Sequence, residues 1–205
     1  MDTVAQALSS VWNARIAERS NVRMAKRDDL PAILTILNEA IAARAEFDEH
    51  AKTTADIKRW FDQHDERYAV LVTADESGHV VGFGALSRYE GDHDAYRGVA
   101  EITAYLASGA QHRGLGTRLM TELEAHAKRS EFHKTVVRTN PANRGSRRLL
   151  RKFGYRVVGV LKRDAFMDGA YVDVMILEKL LSLGRYRIGV PEEPPRPAPR
   201  PARIR

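Results

Sequence analysis

Gln111-His112-Arg113-Gly114-Leu115-Gly116-Thr117 stands between an apolar run, residues 102–107, and an amphipathic run that carries Leu119, Met120, Leu123 and Ala127 at helical spacing. A strand that ends in a glycine-containing turn and restarts as a helix aims several backbone N–H groups, with the positive end of the helix dipole, at one point. Such a point binds phosphate. Spacing excludes two familiar phosphate loops. A P-loop needs Lys followed by Ser or Thr after its last glycine, where this chain has Thr117 and Arg118; a dinucleotide-binding turn needs a third small residue where Leu119 stands. The absence of cysteine removes thiolate nucleophiles, cysteine-ligated zinc and disulfides. None of the histidines at 50, 64, 79, 93, 112, 126 and 133 has another at i+4, so no metal is expected.

Hydrophobic periodicity gives the elements that must hold this loop. Val4, Leu8, Val11, Trp12 and Ile16 form the apolar stripe of an amphipathic helix over 1–20. A short strand at 22–25 leads to a helix N-capped by Asp28 or Asp29, with Pro31 in its first turn and Ile33, Leu37, Ala40 and Ile41 on one face. Thr53 and Asp56 have capping-box spacing before a second helix that buries Ile57, Trp60 and Phe61. Strands follow at 68–73 and 80–87, joined by the turn 76–79, and after a polar loop, 88–97, a fourth strand at 98–107. A helix over 115–129, a strand at 135–139, a helix over 146–153 capped by Asn143, and strands at 155–161 and 170–177 complete the order βααβββαβαββ. The last strand alternates in character and suits an antiparallel pair.

At 205 residues, 43% apolar and 29% charged, the chain suits one well-buried domain. No apolar run reaches the ~18 residues of a membrane span. The acidic Met1-Asp2 start lacks the order of a secretory signal, so a cytoplasmic location is expected. The net charge of +6 would suggest nucleic acid, but six arginines and two glutamates within 185–205 account for +4 of it. That segment also holds six of the eight prolines and is expected to be a disordered tail, so nucleic acid is not expected as a partner.

The QxxGxG pattern of Gln111 to Gly116 resembles the pyrophosphate loop of the GCN5-related N-acetyltransferases (GNAT superfamily), and three further matches narrow the resemblance to its phosphinothricin acetyltransferase-like members. Ala95 to Tyr105 is similar to the family's AYxxxAExTVY run; Asn143-Arg144-Gly145-Ser146 with Gly154-Tyr155 is similar to NxxS and GF/GY; Phe166 to Asp173 is similar to FKxGxWxD. The resemblance covers 22 to about 181. It implies an α/β (α+β) GNAT fold: a central mixed, mostly antiparallel twisted sheet of about seven strands flanked by helices, with the domain over 21–181.

The same resemblance implies the chemistry. Acetyl-CoA is the co-substrate and a free amine attacks its thioester carbonyl. Glu101 occupies the position of the catalytic base; read without the family, it is a strand carboxylate facing solvent or paired with an arginine. A backbone N–H of Tyr105 or Leu106 stabilises the oxyanion. Gln111, His112, Arg113, Gly114, Leu115, Gly116 and Thr117 form the pyrophosphate site, and Asn143 and Ser146 lie by the pantetheine, Asn143 equally reading as a helix cap. His112 by itself reads as a solvated loop residue. Phe47, Tyr96, Phe166, Tyr171 and Asp173 are the acceptor-pocket candidates; Asp173 equally reads as a hairpin tie. Leu150 stands where relatives carry a Tyr or His able to protonate the leaving thiolate, and Met167 replaces a lysine before the substrate-side turn.

The expected activity is acetyl-CoA-dependent N-acetylation of a small-molecule amine, an amino acid or an analogue such as phosphinothricin or methionine sulfoximine, by a homodimer. Two other readings remain open from sequence. One moves the acceptor to a protein N-terminus or to an aminoglycoside, for which Glu90, Asp92 and Asp94 supply acidity. The other is a non-catalytic acyl-CoA-binding module whose PPRPAPRP segment, 194–201, docks to a partner.

Overall fold

The computed structural model of the chain describes residues 22–91, 93–111 and 113–182. The predicted helix over 1–20, the tail over 185–205, Asp92 and His112 lie outside the described residues. The elements run β1 (Val22–Met24), α1 (Leu30–Ala42), α2 (Thr54–Asp62), β2 (Val70–Ala74), β3 (Val80–Arg88), β4 (Val99–Leu106), α3 (Leu115–Arg129), β5 (Lys134–Thr139), α4 (Arg144–Lys152), β6 (Arg156–Met167) and β7 (Ala170–Leu180). One seven-stranded sheet takes the order β1-β2-β3-β4-β5-β7-β6. Every neighbouring pair is antiparallel except β4–β5, which is parallel. This is the expected mixed α/β sheet in the expected order. No helix among the described residues is long and apolar enough to cross a membrane.

Strand alternation divides the core into two layers. On one face Leu119, Met120, Leu123 and Ala127 of α3 pack with Leu86, Ile102, Val137 and Leu150. On the other, Ile33 and Ile36 of α1 and Ile57 of α2 pack with Val70, Val72 and Phe83. Gly84 lets α3 approach β3: a Cβ there would stand 2.6 Å from Leu123 Cδ1 and 2.8 Å from the Thr103 carbonyl oxygen. The site-bearing strand β4 is thus covered on both faces, and its position is set by packing on each side.

Two local expectations change. Asp29 precedes α1 but its carboxylate does not cap it. It accepts instead from Arg23 Nη1 and Nη2, at 2.6 and 2.8 Å, and from the Lys26 N–H at 2.7 Å, tying β1 to the turn that enters α1. The Arg23 guanidinium holds this carboxyl below the usual range. Strand β6 runs six residues past its expected end at 161, through the charged Lys162-Arg163-Asp164, because the ladder absorbs a bulge between Leu161 and Ala165 with Arg163 at φ 54°. The α2 capping box forms as the spacing predicts: Thr53 Oγ1 accepts from the Asp56 N–H at 3.2 Å, and Asp56 Oδ2 from the Thr53 N–H at 2.8 Å.

Candidate active site

The parallel ladder between β4 and β5 covers only Val99–Glu101 against Lys134–Val136, whereas β4 stays paired with β3 as far as Leu106. The two strands therefore part after Glu101 and leave a gap. Ala107 N–H donates to the Val81 carbonyl at 2.9 Å, which fixes the phase of the ladder. Odd-numbered residues of β4 turn their backbone groups to β3, and Ala104 and Leu106 turn theirs into the gap. Of the two expected oxyanion donors, Leu106 thus offers its N–H to the gap, while Tyr105 spends its own on β3.

The chain then crosses a single turn of 3-10 helix, Ser108–Ala110, which α1 holds from the other layer. Glu39 Oε2 accepts from the Ser108 N–H at 2.9 Å and from its Oγ at 3.1 Å. Gly114 takes the left-handed conformation, φ 80°, at the N-cap of α3, and no side chain caps that end. The Arg118 N–H closes the first turn onto the Gly114 carbonyl at 3.1 Å. The N–H groups of Leu115, Gly116 and Thr117 precede that bond and project from the helix end. Gly116 lies between Leu106 and Leu149: a Cβ there would stand 3.5 and 3.6 Å from their side chains. The helix terminus, the end of β4 and the start of α4 thus meet at the mouth of the gap. Gln111 and Arg113 are exposed beside it.

Across the gap, Asn143 Oδ1 accepts from the Ser146 N–H at 3.0 Å and caps α4, while Thr139 Oγ1 donates to Ser146 Oγ at 3.2 Å. These bonds fix the start of α4 to the end of β5 and leave the Asn143 amide NH2 for a ligand. Leu150 is buried in the α3 layer. A long acyl carrier with a pyrophosphate fits this construction: uncapped amides and the helix dipole at one end, a strand edge with free amides along the gap.

Side chains at odd positions of β4 face the α1 and α2 layer, so Glu101, Thr103 and Tyr105 share one side. The Glu101 side chain is 18% exposed, and its Oε2 accepts from Arg138 Nη1 at 3.2 Å. Arg138 Nη2 reaches Glu90 Oε1, also at 3.2 Å, so one guanidinium of β5 joins the strand carboxylate to the β3–β4 loop. Burial pushes the Glu101 carboxyl above its ordinary value; Arg138 opposes this and Glu90 adds to it. A carboxylate held above its ordinary value is a better proton acceptor than an unshifted one.

A cavity of about 390 Å³ opens on the same face, lined in part by Leu37, Glu46, Trp60, Phe83, Thr103 and Tyr105. A larger one, about 590 Å³, lies between Arg67, Gly98 and Arg129 at the opposite end of α3, away from the helix N-terminus. None of the five expected acceptor residues lines the first cavity. Phe47 is half-buried in the α1–α2 loop beside Glu46. Tyr96 stacks edge-on against Tyr89 at 5.6 Å, and Phe166 against Tyr171 at 5.2 Å across the β6–β7 hairpin. An ion pair of Arg44 with Asp168 joins that hairpin turn to the α1–α2 loop, so Phe166 and Tyr171 belong to the rim of this side. Asp173 accepts from Lys162 Nζ at 2.7 Å and the Arg163 N–H at 3.1 Å and ties the β6 bulge. Sequence reasoning does not single out Glu46, Thr103 or Trp60 for the site; the phase of β4 relative to Glu101 is the available signal for Thr103. Among the described residues no group of three or more His, Asp or Glu is arranged to hold a metal ion.

A sequence model described as the acetyltransferase (GNAT) family matches residues 33–155. The L-methionine sulfoximine/L-methionine sulfone acetyltransferase of Pseudomonas aeruginosa is 27% identical over 161 residues, 78% of this chain and 93% of that protein. The phosphinothricin N-acetyltransferase of Streptomyces coelicolor is 29% identical over 164 residues, 78% of this chain and 95% of its own. Among solved structures, a GNAT superfamily phosphinothricin acetyltransferase from Sinorhizobium meliloti in complex with acetyl-CoA superposes with a TM-score of 0.76 at 26% identity, covering 81% of this chain and 90% of that one. The match spans the strand with Glu101, the uncapped helix end and the gap between them, and the chain belongs to the GNAT family of acetyl-CoA-dependent N-acetyltransferases.

Proposed function

We propose that this enzyme acetylates the α-amine of a free amino acid or a close analogue, the class that includes phosphinothricin and methionine sulfoximine, with Glu101 as general base. The observation that carries this reading is the half-buried Glu101, which shares one face of β4 with the cavity while the free amides of the same strand edge the gap. The names of the relatives support the acceptor class.

Acetyl-CoA supplies an activated thioester carbonyl. An aliphatic amine is mostly protonated at neutral pH, and Glu101 takes that proton, directly or through water, to free the lone pair. As the N–C bond forms, the Leu106 N–H stabilises the charge on the carbonyl oxygen, and the C–S bond then breaks to release the thiolate. The Leu115, Gly116 and Thr117 amides hold the pyrophosphate, with Gln111, His112 and Arg113 around it, Gly114 setting the turn and Asn143 and Ser146 along the pantetheine. Leu150 cannot donate a proton, so the second proton lost by the amine nitrogen as the amide forms reaches the leaving thiolate through water. Phe47, Tyr96, Phe166 and Tyr171 frame the acceptor entrance. The proposal includes a cytoplasmic homodimer, with 21–181 as the catalytic unit and the stretches 1–20 and 185–205 as appendages to it.

Thiol release from acetyl-CoA tests the reading, with L-amino acids and their analogues, a peptide with a free N-terminus and an aminoglycoside as acceptors. Turnover confined to free amino acids and analogues is expected; turnover confined to the peptide or the aminoglycoside refutes it. Arg138→Gln is expected to move the acid limb of kcat/KM to higher pH. Removing the guanidinium leaves burial and Glu90 unopposed, Glu101 binds its proton more tightly, and the ionised base is lost at a higher pH as the solution is acidified. A limb that stays in place in a pH profile of the variant would show that Arg138 does not hold the base.

A further inference from the structure

The cavity beside Glu101 has an unbalanced charge. Three carboxylates, of Glu46, Asp48 and Asp56, and two cations, of Lys52 and Arg59, line it. Both cations are engaged: Lys52 Nζ lies 2.6 Å from Asp48 Oδ1, and Arg59 pairs with Asp56, which also closes the α2 capping box. Glu46 forms no ion pair among the described residues, and its Oε1 accepts a 2.8 Å bond from the Phe47 N–H. Burial holds this carboxyl above its ordinary range; the Phe47 N–H and the Lys52 charge oppose the shift, and the charges of Asp48 and Glu101 add to it. A bound cation relieves that repulsion.

The remaining wall is apolar and aromatic. Phe83 stands between Trp60 and Tyr105, with ring centroids 5.9 and 5.4 Å away, and Leu37 and Ile57 complete the surface. Aromatic faces beside a carboxylate that makes no ion pair among the described residues favour an ammonium or guanidinium, and apolar walls favour the methylene stem that carries it. An anionic side chain would meet Glu46 and have to compete with Asp48 and Asp56 for Lys52 and Arg59. Thr103, which lines the cavity, is two residues from Glu101 on the same face of β4, about 7 Å along the strand. Thr103 thus links the Glu101 end of the strand to the cavity that Glu46 lines, so one acceptor molecule can engage both carboxylates.

We propose that the acceptor is a dibasic α-amino acid of the lysine, ornithine or arginine type, its α-amine at Glu101 and its side-chain cation on Glu46. This rests on the amino-acid reading above and narrows it away from acidic side chains such as that of phosphinothricin. The test is kcat/KM for thiol release with lysine, ornithine and arginine against norleucine, methionine sulfoximine and phosphinothricin, in the full chain and in Glu46→Gln, with mass spectrometry of the acetylated nitrogen. Dibasic acceptors are expected to exceed norleucine by about tenfold or more, with the acetyl group on the α-nitrogen, and Glu46→Gln is expected to collapse that ratio toward one. The ratio is read within one protein sample, so partial misfolding of the variant does not disturb it. Preference for phosphinothricin or methionine sulfoximine, or a ratio that Glu46→Gln leaves intact, overturns the inference and leaves the amino-acid reading standing. Acetylation of the side-chain nitrogen overturns the orientation. Silence with every amino acid, alongside turnover of a peptide or aminoglycoside, overturns both.

Discussion

Glu101→Gln lowers kcat by about 10²- to 10⁴-fold, the contribution of a positioned general base, and leaves acetyl-CoA binding close to that of the parent. The substitution keeps the shape of the side chain and an oxygen that can accept from Arg138, so the β4 ladder has no reason to shift. The co-substrate contacts proposed at Leu106 and at the N-terminus of α3 are made by backbone N–H groups, which the change does not touch. The variant also loses the part of the acid limb that Glu101 sets, and the fall that remains follows protonation of the acceptor amine itself. Single-turnover thiol release and calorimetric titration with acetyl-CoA separate the two effects. A kcat within about threefold of the parent would remove Glu101 from the proton path, since even a weak general base contributes more than that.

Legibility in the sequence tracks the range of the interactions concerned. The loop 111–117 is readable because its chemistry is local: a glycine at positive φ before an amphipathic helix supplies free amides whatever else surrounds it. The order of strands and helices is readable for the same reason, through periodicity. The end of β6 is not, because Lys162-Arg163-Asp164 has loop composition, and only pairing with β7 and the Asp173 carboxylate holds it in the sheet. Asp29 has the composition of a cap but finds a stronger partner in Arg23, six residues earlier on another element. The acceptor side is the least legible. Whether Tyr105 faces a cofactor or a cavity depends on the phase of β4, which the Ala107–Val81 bond fixes from the neighbouring strand. Glu46 gains its character chiefly from burial, with the charge of Glu101, fifty-five positions away in sequence, adding to it. No window of sequence contains that pair.

Phe83→Ala and Leu123→Ala should both destabilise the fold strongly yet differ in their effect on catalysis. Phe83 is 1% exposed and Leu123 fully buried, so truncation is expected to lower unfolding free energy by about 3–5 kcal/mol for the phenylalanine and about 2–5 kcal/mol for the leucine. Chemical denaturation gives these values. The two side chains lie in opposite layers. Leu123 packs under α3, against the backbone at Gly84, and touches no wall of the acceptor cavity. Phe83 stands between Trp60 and Tyr105 and is itself a wall. Its removal enlarges the cavity and frees both neighbouring rings, so KM for the acceptor should rise in the folded fraction of Phe83→Ala, while Leu123→Ala keeps the parent KM. KM does not depend on how much of the sample is folded, which separates a lost binding surface from lost protein. Equal KM values in the two variants would mean that the acceptor does not enter between α2 and β4, and both the cavity and the Glu46 assignment would fall with it.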